Sequence, residues 1–448
     1  MKALLVSGGR IIDSAQGMDE TGSLFINEGK ISWLGKGEIT PPSADYDILP
    51  AQGLVVCPGF IDLHCHLRQP GFEKKETISS GTRAAARGGF TTICCMPNTN
   101  PPMDSRDTIE YVKLEASKEG VVRVLPIGAI SKGRMGKELA SIGELASVGV
   151  VGCSDDGNPI MDWHLMRQAL EASRALGLPV IDHCEDTALS DNGLINDGEI
   201  SARIGLRGIP AAAEWLMIMR DLALAALTGG WLHIAHVSTE GSVEFIRRAK
   251  EKGVRVTAEV TPHHLTLTEE KVVDCGTDAK VNPPLRTKRD CQALVQALKD
   301  NVIDIIATDH APHTRVEKRR NFALAPSGIS GLETALGSLM SLVHGGQLTL
   351  PTLISKLTCK PAMIIDERYD KSRCYRGKLG TLANGAPADI TIFDPDRKWK
   401  VNTKDFASKG RNTPLVGSTL KGKVMATISQ GALVYKDRSI KVEDRAPT

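Results

Sequence analysis

His64 and His66 stand two residues apart at the end of a short apolar run, GFIDLHCH, at 59–66. Side chains alternate across a strand, so residues i and i+2 share a face and both imidazoles can reach one ion. Packing explains an isolated pair equally well. Other apolar runs, however, end in the same residue types: Asp155-Asp156, His183, His236 and Asp309. Neutral imidazole with carboxylate is the donor set that suits zinc. Two metals can be held, His64, His66 and Asp309 forming one cluster and His183 with His236 the other. Two cations about 3.5–4 Å apart need a bridging anion. The run at 148–155 and its continuation carry no lysine for a modified-lysine bridge and offer Asp155 and Asp156 instead. Asp156 is favoured as the bridge, together with hydroxide, and Asp155 is expected to orient it. On the residues alone, exchange of these neighbours stays open.

The remaining histidines divide by context. His233, three residues before His236, is expected to pack. His164 and His344 lie in helical patterns and are expected to be structural or exposed. His263 and His264 suit strand-end packing. His310 is expected to orient Asp309 or pack behind it. His313 lies in a Gly- and Pro-punctuated loop just past Asp309 and is expected to touch substrate.

Eight nearly continuous apolar runs must position these groups: 59–66, 90–97, 122–129, 148–155, 179–185, 231–238, 254–262 and 303–310. Such runs are expected of parallel strands buried on both faces. Helical patterns lie between most of them, WHLMRQALEASRAL before the fifth and EFIRRAKEKG before the seventh. The alternation predicts an α/β fold, a (β/α)8 TIM-type barrel over 56–375. The polar residues then converge at the C-terminal ends of the strands, where barrels build active sites. Asn98 closes the second run. Residues 1–55 and 376–448 read as short strands and turns, so both ends are expected to form one small β-module.

The 448 residues are 41% hydrophobic and 24% charged, with a formal net charge of +2. No basic stripe suggests a nucleic-acid partner. Lys318-Arg319-Arg320 reads as a solvated loop. Neither a secretory signal nor a membrane span is expected. The ten cysteines form no CxxC pair and mostly sit in apolar runs, which predicts reduced, buried thiols and a cytoplasmic protein.

DLHCHLRQPG (62–71), MPNTNP (96–101), SDDG (154–157), DHCED (182–186), HVSTEGS (236–242), VNPPLR (281–286), ATDHAPH (307–313) and GLETALG (331–337) together resemble class I dihydroorotase of the amidohydrolase superfamily. The resemblance covers nearly the whole chain. It implies metal ligands His64, His66, Asp156, His183, His236 and Asp309, with one or two Zn2+ and bridging by the second Asp of SDDG. It implies substrate contacts from His66, Arg68, Asn98, Asn282 and His313, with backbone near Ser327 and Gly328. Ser327 stands where the family commonly has an aromatic residue, and Gln69 where Glu is frequent. The implied reaction is reversible hydrolysis of dihydroorotate to N-carbamoyl-aspartate in pyrimidine biosynthesis. Asp309 would shuttle the proton, Arg68 would pair with the substrate carboxylate, and Asn98 and His313 would complete that pocket. The loop at 311–330 is expected to close over substrate. The implied partners are a small-molecule substrate and a second copy in a homodimer, with aspartate transcarbamoylase as a further candidate. The rivals are a dihydropyrimidinase or allantoinase type, which normally uses a modified-lysine bridge, and a non-catalytic scaffold, which would lose metal ligands.

Overall fold

The computed structural model describes residues 2–36, 45–371 and 378–445. Ala3–Asp13 pairs antiparallel with Met18–Asn27 and parallel with Tyr46–Pro50 and Val55–Pro58. Val55–Pro58 in turn pairs antiparallel with Ile390–Lys400, which continues to Thr419–Ser429 and Ala432–Lys436. One nine-stranded sheet therefore draws on both ends of the chain. Leu24, Ile31 and Leu49 share its apolar core with Ile390, Ile392 and Ile428. The two ends meet closely at glycines. A Cβ on Gly431, whose φ is 83°, would lie 2.5 Å from Gly29 Cα. The expected boundary at 55/56 falls within Val55–Pro58, and that at 375/376 lies outside the described residues.

The middle of the chain is α/β with parallel sheets. Phe60–Cys65, Phe90–Cys95 and Arg123–Pro126 form one; Val180–Asp182, Leu232–Ile234, Val256–Val260 and Ile305–Ile306 form another. Isolated parallel bridges, Gly128 to Cys153 and Cys153 to Val180, connect one pair of edges. The bridge Cys65 to His310 connects the other. The run at 148–155 supplies only the Cys153 bridges rather than a full strand. Its first residues are used elsewhere, Val148 capping the helix Ile142–Ser147 and Gly149 turning at φ 91°.

Intervening helices carry clear end signals. Asp162 caps Trp163–Leu176 by accepting from His164 N, and left-handed Gly177 ends it. Thr239 caps Glu240–Glu251 by accepting from Ser242 N. Their apolar stripes join the strands in one large core that includes Leu170, Ile234, Ile246 and Leu294. The nine described cysteines are free, seven of them buried; Cys374 lies outside the described residues. Among the described residues no helix is long and apolar enough to cross a membrane.

Candidate active site

Asp62, His64 and His66 alternate along one strand with Ile61, Leu63 and Cys65, which belong to the apolar clusters. Asp62 fixes this strand against the segment bearing Asp309. Its carboxylate accepts from Thr308 N at 2.8 Å and Thr308 Oγ1 at 2.5 Å. At the strand ends the backbone turns sharply through left-handed positions at Arg68 (φ 60°), His236 (φ 32°) and Asp309 (φ 45°). Such conformations cost non-glycine residues about 1–3 kcal/mol each and concentrate at functional sites.

Asp156 sits at the centre of the buried histidines. Its Oδ1 lies 3.2 Å from His64 Nε2, 3.7 Å from His236 Nε2 and 4.0 Å from His183 Nδ1. Its Oδ2 lies 3.5 Å from His66 Nε2. Asp309 Oδ1 approaches His66 Nε2 at 3.0 Å and His64 Nε2 at 3.7 Å. Two compatible metal-ligand sets result, His64–His66–Asp309 and His64–Asp156–His236. His64 thus reaches both sets, and His183 stands beside the second, its Nδ1 2.9 Å from His236 Nε2. Asp155 faces away, accepting from Ile130 N, Ser131 N and Ser131 Oγ.

The proton inventory fits a cation. His64 Nδ1 donates to Glu259 Oε1 at 2.6 Å, leaving Nε2 buried, without a hydrogen-bond partner, against two carboxylates. Burial opposes a charge on His64, but Asp156 and Glu259 outweigh it and raise its pKa well above the usual value. His66 Nδ1 donates to Asn98 Oδ1 at 2.8 Å, which turns its Nε2 lone pair toward Asp309. His183 Nε2 donates to Glu185 Oε2 at 3.0 Å, so its Nδ1 lone pair converges on His236. Lone pairs and carboxylates aimed at one buried volume need positive charge between them. Asp309 is buried, which pushes its carboxyl up. The neighbouring imidazoles, His66 first, more than reverse this and hold it below the ordinary carboxylate range.

A cavity of about 250 Å³ opens beside these groups. It is lined by His66, Arg68, Asn98, Asp156, His183, His236, Asn282, Asp309, His313, Ser327 and Gly328. His64 lies behind this wall, fully buried. Arg68 has no carboxylate within 4 Å among the described residues; its Nε faces Pro312 O at 3.4 Å and its Nη2 faces His313 Nε2 at 3.5 Å. His313 donates from Nε2 to Ser327 O at 2.8 Å. Burial, then Arg68, pushes its pKa down to about 2, so it is neutral at physiological pH. Asn282 Nδ2 donates to Glu185 Oε2 at 2.7 Å.

The other histidines take structural places. His233 is buried between Thr257 Oγ1 and Glu259 Oε2. His263 and His264 lie on a short buried helix, Pro262–Thr266, and His264 bonds Thr261 and Pro283 O. His310 packs toward Glu76 and Gly331 N. His164 and His344 are exposed on helices.

Two carboxylates escaped the sequence reading. Glu259 joins His64 to His233, and Glu185 joins His183 to Asn282. Glu259 was detectable in principle, being an acid inside the apolar strand Val256–Val260. Its His64 partnership lowers its pKa to about 2 despite burial. Glu259→Gln is expected to weaken metal binding about 10–100-fold, the usual cost of losing a partner that orients a ligand. Chelator competition reads this; affinity within twofold of the parent would contradict the role.

The loop at 311–330 is pinned from beneath. Lys318 is not solvated as its basic run suggested: it is 5% exposed, because its Nζ donates to Pro326 O and Gly328 O. Lys280 Nζ donates to Phe322 O and Ala325 O, each at 2.7 Å. Asn412 holds Ala311 O and Gly328 O. Lys280→Met should remove about 1.5–3 kcal/mol of charged hydrogen bonding. Cleavage at Arg319 or Arg320 in limited proteolysis should then accelerate about tenfold or more. An unchanged rate would show that Lys280 does not hold the loop.

A family model described as dihydro-orotase-like matches residues 53–242. A dihydroorotase of Pelotomaculum thermopropionicum is 50% identical over 98% of this chain and 100% of its own length. One from Aquifex aeolicus is 48% identical over 98% of this chain and 100% of its own length. The chain belongs to the dihydroorotase family. It is accordingly a cyclic amidohydrolase, and all six positions that the sequence assigned to metal stand around the shared cluster. Among solved structures, L-hydantoinase (dihydropyrimidinase) from Arthrobacter aurescens matches with a TM-score of 0.85 and 25% identity, over 99% of this chain and 98% of its own. Dihydropyrimidinase from Brevibacillus agri matches with a TM-score of 0.81 and 23% identity, over 99% and 97%; that likeness is one of fold. Among the described residues no lysine lines the cavity in this member of the dihydroorotase family.

Proposed function

We propose that this chain hydrolyses the cyclic amide of dihydroorotate to N-carbamoyl-aspartate, reversibly, as a step of pyrimidine biosynthesis. The observation that carries the assignment is Arg68. Its guanidinium lines the cavity beside the carboxylate–imidazole cluster and has no carboxylate partner of its own. A planar fork in that state is matched to a substrate carboxylate. Dihydroorotate carries one next to its ring amide; hydantoins and dihydropyrimidines lack it.

The resident cation is assigned as zinc, in two sites, from the imidazole and carboxylate donors. His64, His66 and Asp309 would hold one ion and His183 with His236 the other, with Asp156 shared. When bound, the ions supply Lewis acidity at the ring carbonyl and activate water at neutral pH. Asp309, held in its ionised form, accepts the proton released in the attack and delivers it to the departing ring nitrogen. Arg68 binds the substrate carboxylate, Asn98 completes its pocket by donating from Nδ2, and neutral His313, whose Nε2–H is held by Ser327 O, borders it. Asn98 and Glu259 fix the tautomers of His66 and His64. Asn282, steadied by Glu185, and the Ser327–Gly328 backbone also line the substrate cavity.

We also assign the parallel strands to a closed (β/α)8 barrel over 56–375, carrying a β-module of 1–55 and 376–448. The bridges at Cys153 and Cys65, and the fold likeness to the hydantoinases, support this. A homodimer, and association with aspartate transcarbamoylase, are proposals for sedimentation of the chain alone and mixed with that enzyme. A substrate panel tests the activity. Dihydroorotate should turn over at least 100-fold faster than hydantoin, dihydrouracil or allantoin; the reverse preference would refute the assignment.

A further inference from the structure

A second cavity, of about 690 Å³, adjoins the active-site cavity through His313, which lines both. Its size falls in the range of small-molecule sites. Arg315, Arg319 and Arg320 enter it from the 311–330 loop, and Arg411 enters from the C-terminal segment. Its acidic lining is confined to Asp274 and Asp278. No carboxylate lies within 4 Å of any of the four guanidinium groups among the described residues. Lys318 also lines it, but its ammonium is committed to loop carbonyls.

Two polar atoms in this wall lack hydrogen-bond partners. Arg411 Nη1 is buried with no acceptor. His313 is 6% exposed; its Nε2 donates to Ser327 O, so Nδ1 holds a lone pair, buried, 4.0 Å from Glu317 Oε2 and without a hydrogen bond. A buried donor of this kind is costly unless a ligand or water satisfies it. The unpaired guanidinium forks of Arg315, Arg319, Arg320 and Arg411 suit a phosphate.

We propose that this cavity binds a phosphorylated small molecule. Its phosphate lies among Arg315, Arg319, Arg320 and Arg411. AMP and inorganic phosphate serve as probes, titrated calorimetrically into the full zinc-loaded chain. AMP should bind one per chain in the micromolar range, and phosphate more weakly. R319A/R320A removes two exposed side chains, leaving the core intact, and should weaken AMP binding at least tenfold. R411A should do the same if it stays folded. Arg68→Met should leave AMP affinity within twofold. Absence of AMP binding, binding lost in Arg68→Met, or binding changed less than threefold in R319A/R320A would each overturn the site. Because binding is read directly, failure here leaves the hydrolytic assignment untouched.

Discussion

Asp309→Asn should lower kcat about 1,000-fold in both reaction directions, within the range for loss of a positioned acid–base group. Asparagine keeps the size of the side chain and an oxygen near His66 but cannot carry the proton. The carboxylate is suited to that task by position and by charge. It lies 3.0 Å from His66 Nε2, and the surrounding imidazoles keep it ionised well below neutral pH. Part of the loss could come from weakened metal binding, so zinc content must be measured on the same preparation. A variant that retains its metal and loses less than tenfold in kcat would remove Asp309 from the proton path.

Arg68→Met should lower kcat/KM for dihydroorotate about 100- to 1,000-fold. Truncating one partner of a desolvated charge pair typically costs about 2–5 kcal/mol, and each 1.4 kcal/mol is tenfold. Any slow turnover of hydantoin, which has no carboxylate, should change little. This contrast separates a substrate contact from a structural one. Equal losses on both compounds would mean that Arg68 supports the fold of the site, through Pro312 O and His313, and does not select the ring substituent.

The six metal-ligand candidates were legible because each stands at or beside the end of an apolar run, so strand alternation and parallel order place them together. His64 and His66 needed only the period of two. The residues alone leave Asp155 and Asp156 exchangeable and the family resemblance favours Asp156; in the structure the two differ in their partners. Asp155 is occupied by Ile130 N and the Ser131 backbone and hydroxyl, whereas Asp156 faces four imidazoles.

Less legible were groups whose partners are distant in sequence. Glu259 and Glu185 act through His64 and His183, and nothing local marks such a pairing. Lys318 looked solvated because its neighbours Arg319 and Arg320 are. Its burial depends on two carbonyls, of Pro326 and Gly328, that only the folded loop presents. The run at 148–155 misled for a local reason. Its apolar residues first close the helix Ile142–Ser147, and only Cys153 reaches the strand bridges.

We propose one metal-dependent site for dihydroorotate, formed by the imidazole–carboxylate cluster and Arg68. The most direct test is ring opening of dihydroorotate by the purified chain, measured against zinc content before chelation, after it, and after zinc is restored. Activity should track zinc, vanish in the chelated protein and return on reloading. A chain that binds no metal at the cluster, or is zinc-loaded yet inert toward dihydroorotate, would contradict the account.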